Sequence, residues 1–339
     1  MKELKYVCAQ PDDTYYTWQV HMWLESLREQ GKSKDAIVLV YTPKNRQFNS
    51  KFKQIEELYP EAEWYYKKDD AGALQPLIPI YIPVLRPWLL WNYWKEHPEM
   101  KDHAIFYCDS DIIWTDKFNI DDFIEDDVCY LSDTNSYINA DYFDSMVHRA
   151  RPDKVEEYKT RDILAEVTSI IGTSRAEAEE KNEHSGGAQY LLKNVDAAFW
   201  NKVMNDCILI RTYLQKVNRE FFKSENDGFQ SWCADMWSVL WNLWVREKEV
   251  QVIPEMGFSW SPDPISKLET HPILHNAGIV STEQGGYPCF YKAKYHTGGD
   301  PFKDPHLDVV LNNEESMKHC TGYYAKKLKD LHNKYNINY

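Results

Sequence analysis

Short apolar runs alternate with stretches of helical periodicity through the first third of the chain. KYVCAQ (5–10) predicts a strand, and after the turn PDDT the spacing of Trp18, Met22 and Leu27 predicts a helix from Tyr15 to Gln30. AIVLVYT (36–42) is apolar without interruption, the pattern of a strand covered on both faces. A helix over roughly Asn49 to Tyr59 leads to a third strand, AEWYYK (62–67). Beyond the proline-rich LQPLIPIYIPVLRP, WLLWNYWKEH is expected as a helix started by Pro87, and AIFYCDSD as a fourth strand that ends at two acids. Strands alternating with helices in this order predict an α/β fold with a mostly parallel sheet, whose ligands bind beyond the carboxyl ends of the strands.

The second half reads differently. From Arg149 to Glu183 the chain is polar, and its charge run RAEAEEKNEH predicts solvated helix or a mobile insertion. HSGGAQYLLKNVDAAFWNKV (184–203) restores order, its glycine pair allowing close approach to the backbone before a strand or helix begins. SWCADMWSVLWNLWVRE (231–247) is apolar almost all round at helical spacing and predicts a buried helix containing Asp235 on the stripe of Trp232, Val239 and Leu243. VQVIPEMGFSW, HPILHNAGIV and YKAKYHTGGDPF are expected as short strands ending in loops. No linker or internal repeat divides the 339 residues, so one domain is expected, with a binding half over 1–116 and a completing half over 117–339.

Composition narrows the function classes. Aromatics make up 14% of residues, including 13 Trp and 23 Tyr, which excludes disorder and leaves a tryptophan-rich core with ring-lined clefts. A net charge of −14 argues against a surface that tracks extended nucleic acid. Seven scattered Cys without a C-x-x-C pair indicate neither a disulfide framework nor a zinc site. With a strand beginning almost at once and no run long enough to span a membrane, a cytoplasmic protein is expected.

Candidate chemistry centres on HAIFYCDSDIIWTD (103–116), where Asp109 and Asp111 interrupt an apolar run at a predicted strand end. Carboxylates in apolar surroundings need a partner, and two on a turn suit a hard divalent cation, Mn²⁺ or Mg²⁺. The strand–helix half, the D-x-D after its fourth strand, the Gly-Gly segment about 75 residues later and a late His resemble nucleotide-sugar-dependent glycosyltransferases of the GT-A fold. That resemblance implies a Rossmann-type, GT-A-like architecture with a C-terminal acceptor-binding half, a nucleoside-diphosphate sugar as donor, most simply a UDP-sugar, and an acceptor hydroxyl on a glycan or another molecule. It implies Asp109 at the metal or donor ribose, Asp111 at the metal, and His275 of LHNAG as third ligand, with His296 of YHTGG as competitor. The Lys-Pro-Trp that follows such a His in some of these families is absent, and Lys292, Lys294 or Lys303 stands in as candidate diphosphate clamp.

Gln10, Pro11 and Asp12 after the first strand, or the neighbouring Asp13, are candidate nucleoside contacts. Arg86 is a candidate for the diphosphate, and Gly186, Gly187, Ala188 and Gln189 resemble the segment that in these enzymes passes beside the donor sugar, which implies a donor or acceptor contact. Asp235 is the candidate base for an acceptor hydroxyl. Two other readings compete. GGDPFKD (298–304) resembles the last metal motif of haloacid-dehalogenase phosphatases, and the aromatic content alone suits a non-catalytic carbohydrate-binding protein. No serine-hydrolase elbow, P-loop or H-E-x-x-H is present.

Overall fold

A computed structural model describes residues 2–74, 77 and 81–339. Part of the proline-rich connection, residues 75, 76 and 78–80, lies outside that description. The chain is mixed α/β, its strands mostly parallel and flanked by helices. It forms two compact units whose segments interleave: one from Met1–Leu4, Ala73–Phe106 and Phe123–Ile253, the other from Lys5–Gly72, Tyr107–Asp122 and Pro254–Tyr339.

The unit completed by the C-terminal segment starts from strand Leu4–Pro11, which pairs in parallel with Ala36–Pro43, and that strand in parallel with Glu63–Asp69. Ala36 to Thr42 are all buried, as their unbroken apolar run requires. Helix Thr14–Glu29 begins where the Asp13 carboxylate accepts the Tyr15 N–H at 2.9 Å, and it buries Trp18, Met22 and Leu27. Helix Ser50–Leu58, capped by Asn49, buries Phe52 and Ile55. The C-terminal helix Cys320–Tyr335 packs Tyr324, Ala325 and Leu328 into one apolar cluster with Trp18, Met22, Ile113 and Leu274. A small second sheet places Ile273–His275 between Phe258–Trp260, its parallel partner, and Ile112–Trp114, its antiparallel partner.

YKAKYHTGG is not a strand. Residues Lys292–Tyr295 form a 3₁₀ turn, whose last residue, Tyr295, is buried. Gly298 and Gly299 follow at φ +112° and +119°, where a side chain would be strained.

In the other unit, Cys129–Asp133 pairs antiparallel with Gly186–Lys193 and parallel with Val250–Val252. The long helix Ala197–Phe221, capped by Asp196 at 2.8 Å, packs on Leu85–Glu96 and on Ala234–Val245. Leu85–Glu96 starts two residues before the expected Pro87, which sits in the first turn, where its missing N–H leaves no hydrogen bond unmade. Ala234–Val245 is buried nearly all round, as its periodicity predicts, with the indole of Trp237 donating to the Ile138 carbonyl at 2.8 Å.

The polar stretch from Arg149 to Glu183 is built into this unit. Its middle helix, Ile163–Ile171, buries Ile163, Leu164, Val167 and Ile171 and packs on Ala197–Phe221, an apolar stripe that the surrounding charge obscures. Its one charge, Glu166, pairs with Arg161, and the flanking segments carry more, Arg175 pairing with Asp144, Asp162 and Glu179. All seven cysteines are buried and none is in a disulfide, and no described helix is long and apolar enough to cross a membrane.

Candidate metal and donor site

Strand Ala104–Cys108 ends, a turn carries Asp109 to Asp111, and Ile112–Trp114 resumes the extended chain. The turn is clasped from behind, the Asn276 N–H donating to the Asp111 carbonyl at 2.9 Å. Because His275 pairs in register with Ile112, its imidazole stands over the two acids. Its Nε2 lies 3.5 Å from Asp111 Oδ1 and 3.8 Å from Asp109 Oδ2. The Trp260 ring stacks on the imidazole, centroids 5.2 Å apart, and limits its rotation.

Asp111 and His275 are buried, and Asp109 is partly exposed. Burial works against the Asp111 charge, yet the Lys292 ammonium, paired with its Oδ2, and His275 hold its carboxyl well below the usual carboxylate range. The phenols of Tyr15 and Tyr324 are raised by burial and by the Asp111 charge, so both stay protonated. Lys292 reaches the acid because of the 3₁₀ turn that begins with it.

Ligand atoms from Asp109, Asp111 and His275 all lie within 4.8 Å of one another. The His275 nitrogen lies 3.5 and 3.8 Å from the two carboxylates, within the roughly 3 to 4 Å that separates ligand atoms around an octahedral ion with bonds of about 2.1 Å, so these three residues could hold Mg²⁺ or Mn²⁺. His296, the competing histidine, packs its ring against Tyr15 instead, with centroids 5.1 Å apart.

On the same unit, Gln10 is buried at the end of the first strand, where its Nε2 donates to the Leu39 carbonyl at 3.1 Å. Its Oε1 has no hydrogen-bond partner among the described residues. Pro11 pairs with Tyr41. The Asp12 carboxylate accepts from Thr42 Oγ1 at 2.8 Å and from the Asn49 N–H at 2.9 Å, a tie between two loops, and burial raises its pKa. Asp13 caps the first helix. In GGDPFKD, Asp300 accepts from the Phe302 N–H and Asp304 caps helix Pro305–Leu311 while binding Tyr295, which accounts for both acids by local structure.

The remaining candidates belong to the other unit. Arg86 Nη1 lies 3.4 Å from Asp235 Oδ2, in the first turn of Ala234–Val245. Trp232 does not share a buried stripe with Asp235: its side chain is 53% exposed, because the chain there is a 3₁₀ turn, Ser231–Cys233, ahead of the helix. Gly186 and Gly187 leave room for the chain's own atoms. A Cβ on Gly186 would lie 2.6 Å from the Ser132 carbonyl oxygen, and one on Gly187 2.7 Å from the Tyr190 hydroxyl. Ala188 follows at φ +65°, a left-handed conformation where the pairing of Gly186–Lys193 with its neighbour shifts register. Gln189 is fully buried.

Trp260, Asn276, Tyr15 and Tyr324 carry no motif, and only the register of the small sheet and the packing of the first and last helices reveal them. No family model matches the chain, and no curated protein matches it. Solved structures of glycosyltransferases do. The galactosyltransferase LgtC, solved with donor and acceptor sugar analogues, is 10% identical, with a TM-score of 0.44 over 97% of this chain and 95% of that one. The bifunctional glycosyltransferase WbbM is 9% identical with a TM-score of 0.42, and this chain spans 52% of its length. Mouse xyloside xylosyltransferase 1 is 11% identical, with a TM-score of 0.37 over 81% of this chain and 97% of that one. Likenesses of this depth fix neither activity, donor nor acceptor.

Proposed function

We propose that the chain is a metal-dependent glycosyltransferase that moves a sugar from a nucleoside-diphosphate sugar, most simply a UDP-sugar, to an acceptor hydroxyl. The observation that carries this reading is the cluster of Asp109, Asp111 and His275 at a strand end, with Lys292 beside it. Asp109, Asp111 and His275 would hold Mn²⁺ or Mg²⁺, which supplies charge neutralisation to a leaving diphosphate.

This chain's own residues supply the rest. Lys292, ion-paired with Asp111, would turn its ammonium to a phosphate oxygen once a metal takes the carboxylate. Gln10 offers its unpartnered Oε1 to an imide or amino N–H of a nucleobase. Asp12 is already held by Thr42 and Asn49, so on the strand's loop Gln10 is the better nucleoside contact. Arg86 next to Asp235 competes with any proton for that carboxylate, which suits Asp235 to binding hydroxyls more than to accepting a proton. Gly186, Gly187 and Gln189 retain a proposed place at the donor sugar through the backbone that they shape.

The test is thermal unfolding with UDP, GDP, CMP and TDP, each with and without Mn²⁺. A rise in midpoint for one nucleoside diphosphate that requires the metal supports the reading. No shift with any of them overturns it.

A further inference from the structure

Asn276, the residue after His275, is buried, and its hydrogen-bonding groups reach three different parts of one unit. Its N–H donates to the Asp111 carbonyl at 2.9 Å, behind the turn that carries the two acids. Its Oδ1 accepts from the Ser261 hydroxyl at 2.7 Å. The Tyr324 hydroxyl of helix Cys320–Tyr335, fully buried, lies within hydrogen-bonding reach of the same side chain. Neither Asn276 Nδ2 nor the Tyr324 hydroxyl has another partner among the described residues. A buried polar group left unmet is costly, so one bond from Nδ2 to the phenolic oxygen removes two penalties at once.

Tyr324 is itself firmly placed. Its ring stacks on Phe290 with centroids 5.5 Å apart, and it shares an apolar cluster with Ile113 and Leu274, which pair with each other next to Ile112 and His275. One turn earlier on the helix, the Thr321 N–H donates to the Ser261 carbonyl at 2.7 Å, and Thr321 Oγ1 accepts the Phe290 N–H at 2.8 Å. The Ser261 N–H in turn donates to the Ala277 carbonyl at 3.1 Å. The start of the helix therefore grips the segment behind the acids twice, through the main chain at Ser261 and through the phenol at Asn276.

We propose that Tyr324 is a positioning residue for the candidate metal site and acts through Asn276: its hydroxyl accepts the Asn276 amide, and Asn276 so fixed holds Asp111 from behind while its chain neighbour His275 stands over the acid. This rests on the metal-dependent reading above. Without the hydroxyl the amide can turn, and the acids gain play against the imidazole. A small divalent ion that demands near-octahedral geometry tolerates little of it. The contribution is geometric, because burial and the Asp111 charge keep the phenol protonated and neutral.

The test titrates the full chain with Mn²⁺ alone, following the free ion by electron paramagnetic resonance, and records the thermal midpoint of the metal-free chain. Tyr324→Phe keeps the ring stack and removes only the hydroxyl. It is expected to bind Mn²⁺ about tenfold more weakly with a metal-free midpoint within about 3 °C of wild type, a split that lost packing does not produce. Asn276→Ala keeps the main-chain bond to Asp111 and removes the amide. The double variant is expected to lose no more affinity than the weaker-binding single variant, since both changes break one contact. Wild-type affinity in Tyr324→Phe overturns the proposal, as do losses that multiply in the double variant or a midpoint that falls together with the affinity. In each of those cases Mn²⁺ still binds the wild type, and the metal-dependent reading stands. If the wild type binds no Mn²⁺, both fall.

Discussion

His275 stands 3.5 Å from Asp111, although the two come from distant parts of the chain, because antiparallel pairing sets His275 opposite Ile112. Two acids on a turn are common, whereas two acids under a stacked and buried imidazole bring three candidate ligands within 4.8 Å of one another.

Removing one ligand tests that set. Asp111→Asn is expected to weaken Mn²⁺-dependent nucleotide binding by at least about 100-fold, and His275→Ala by about 10- to 100-fold, with His296→Ala near wild type. Calorimetric titration of UDP with and without Mn²⁺ measures this, and wild-type affinity in Asp111→Asn would sink the metal assignment.

Lys292 and a cation compete for one carboxylate. Lys292→Met should bind Mn²⁺ alone about tenfold more tightly, since an ammonium no longer has to be displaced, yet bind UDP with Mn²⁺ less tightly than wild type. Opposite changes in the two affinities are the signature. Parallel losses would mean that Lys292 only supports the fold.

His21 predicts an acid-sensitive fold. Burial pushes its imidazole down to about 3, so the native state keeps it neutral next to the Tyr339 hydroxyl. The unfolded chain takes up a proton near pH 6.5, its ordinary value. Stability from this group is therefore complete above that pH and declines as pH falls toward 3. Urea unfolding of His21→Phe across that range should show a shallower decline than wild type, and an identical slope would exclude His21 as its source.

Asn218 clasps the loop that leads to the Trp232 turn. Its Nδ2 donates to the Glu225 and Phe229 carbonyls at 3.0 and 2.8 Å, and its Oδ1 accepts the Phe229 N–H at 2.9 Å. Asn218→Ala leaves two buried backbone groups of Phe229 and the half-buried Glu225 carbonyl without that partner and should cost about 2 to 4 kcal/mol. Chemical denaturation measures the loss, and a change under about 0.5 kcal/mol would show that water replaces the amide.

Where chain pattern and physical need coincide, the sequence was readable. Ala36 to Thr42 could only be a covered strand, and Asp109 and Asp111 declared themselves by interrupting apolar residues. His275 and His296 were another matter, because both precede a glycine and only strand register, which depends on pairing partners far along the chain, separates them. Trp232 was misplaced because helical periodicity cannot tell a 3₁₀ turn from the helix that it introduces. The stripe of Ile163 to Ile171 was hidden by the charges on either side of it.

The interleaving of the two units also sets an order of assembly during synthesis. The unit that ends at Ile253 has all its segments before the other receives its last, Pro254–Tyr339. His275, Lys292 and the helix Cys320–Tyr335 all arrive in that late segment, so Asp109 and Asp111 emerge from the ribosome long before the imidazole and ammonium that the folded unit sets against them. For that interval water solvates both carboxylates, and the burial of Asp111 waits on the late segment that brings its partners.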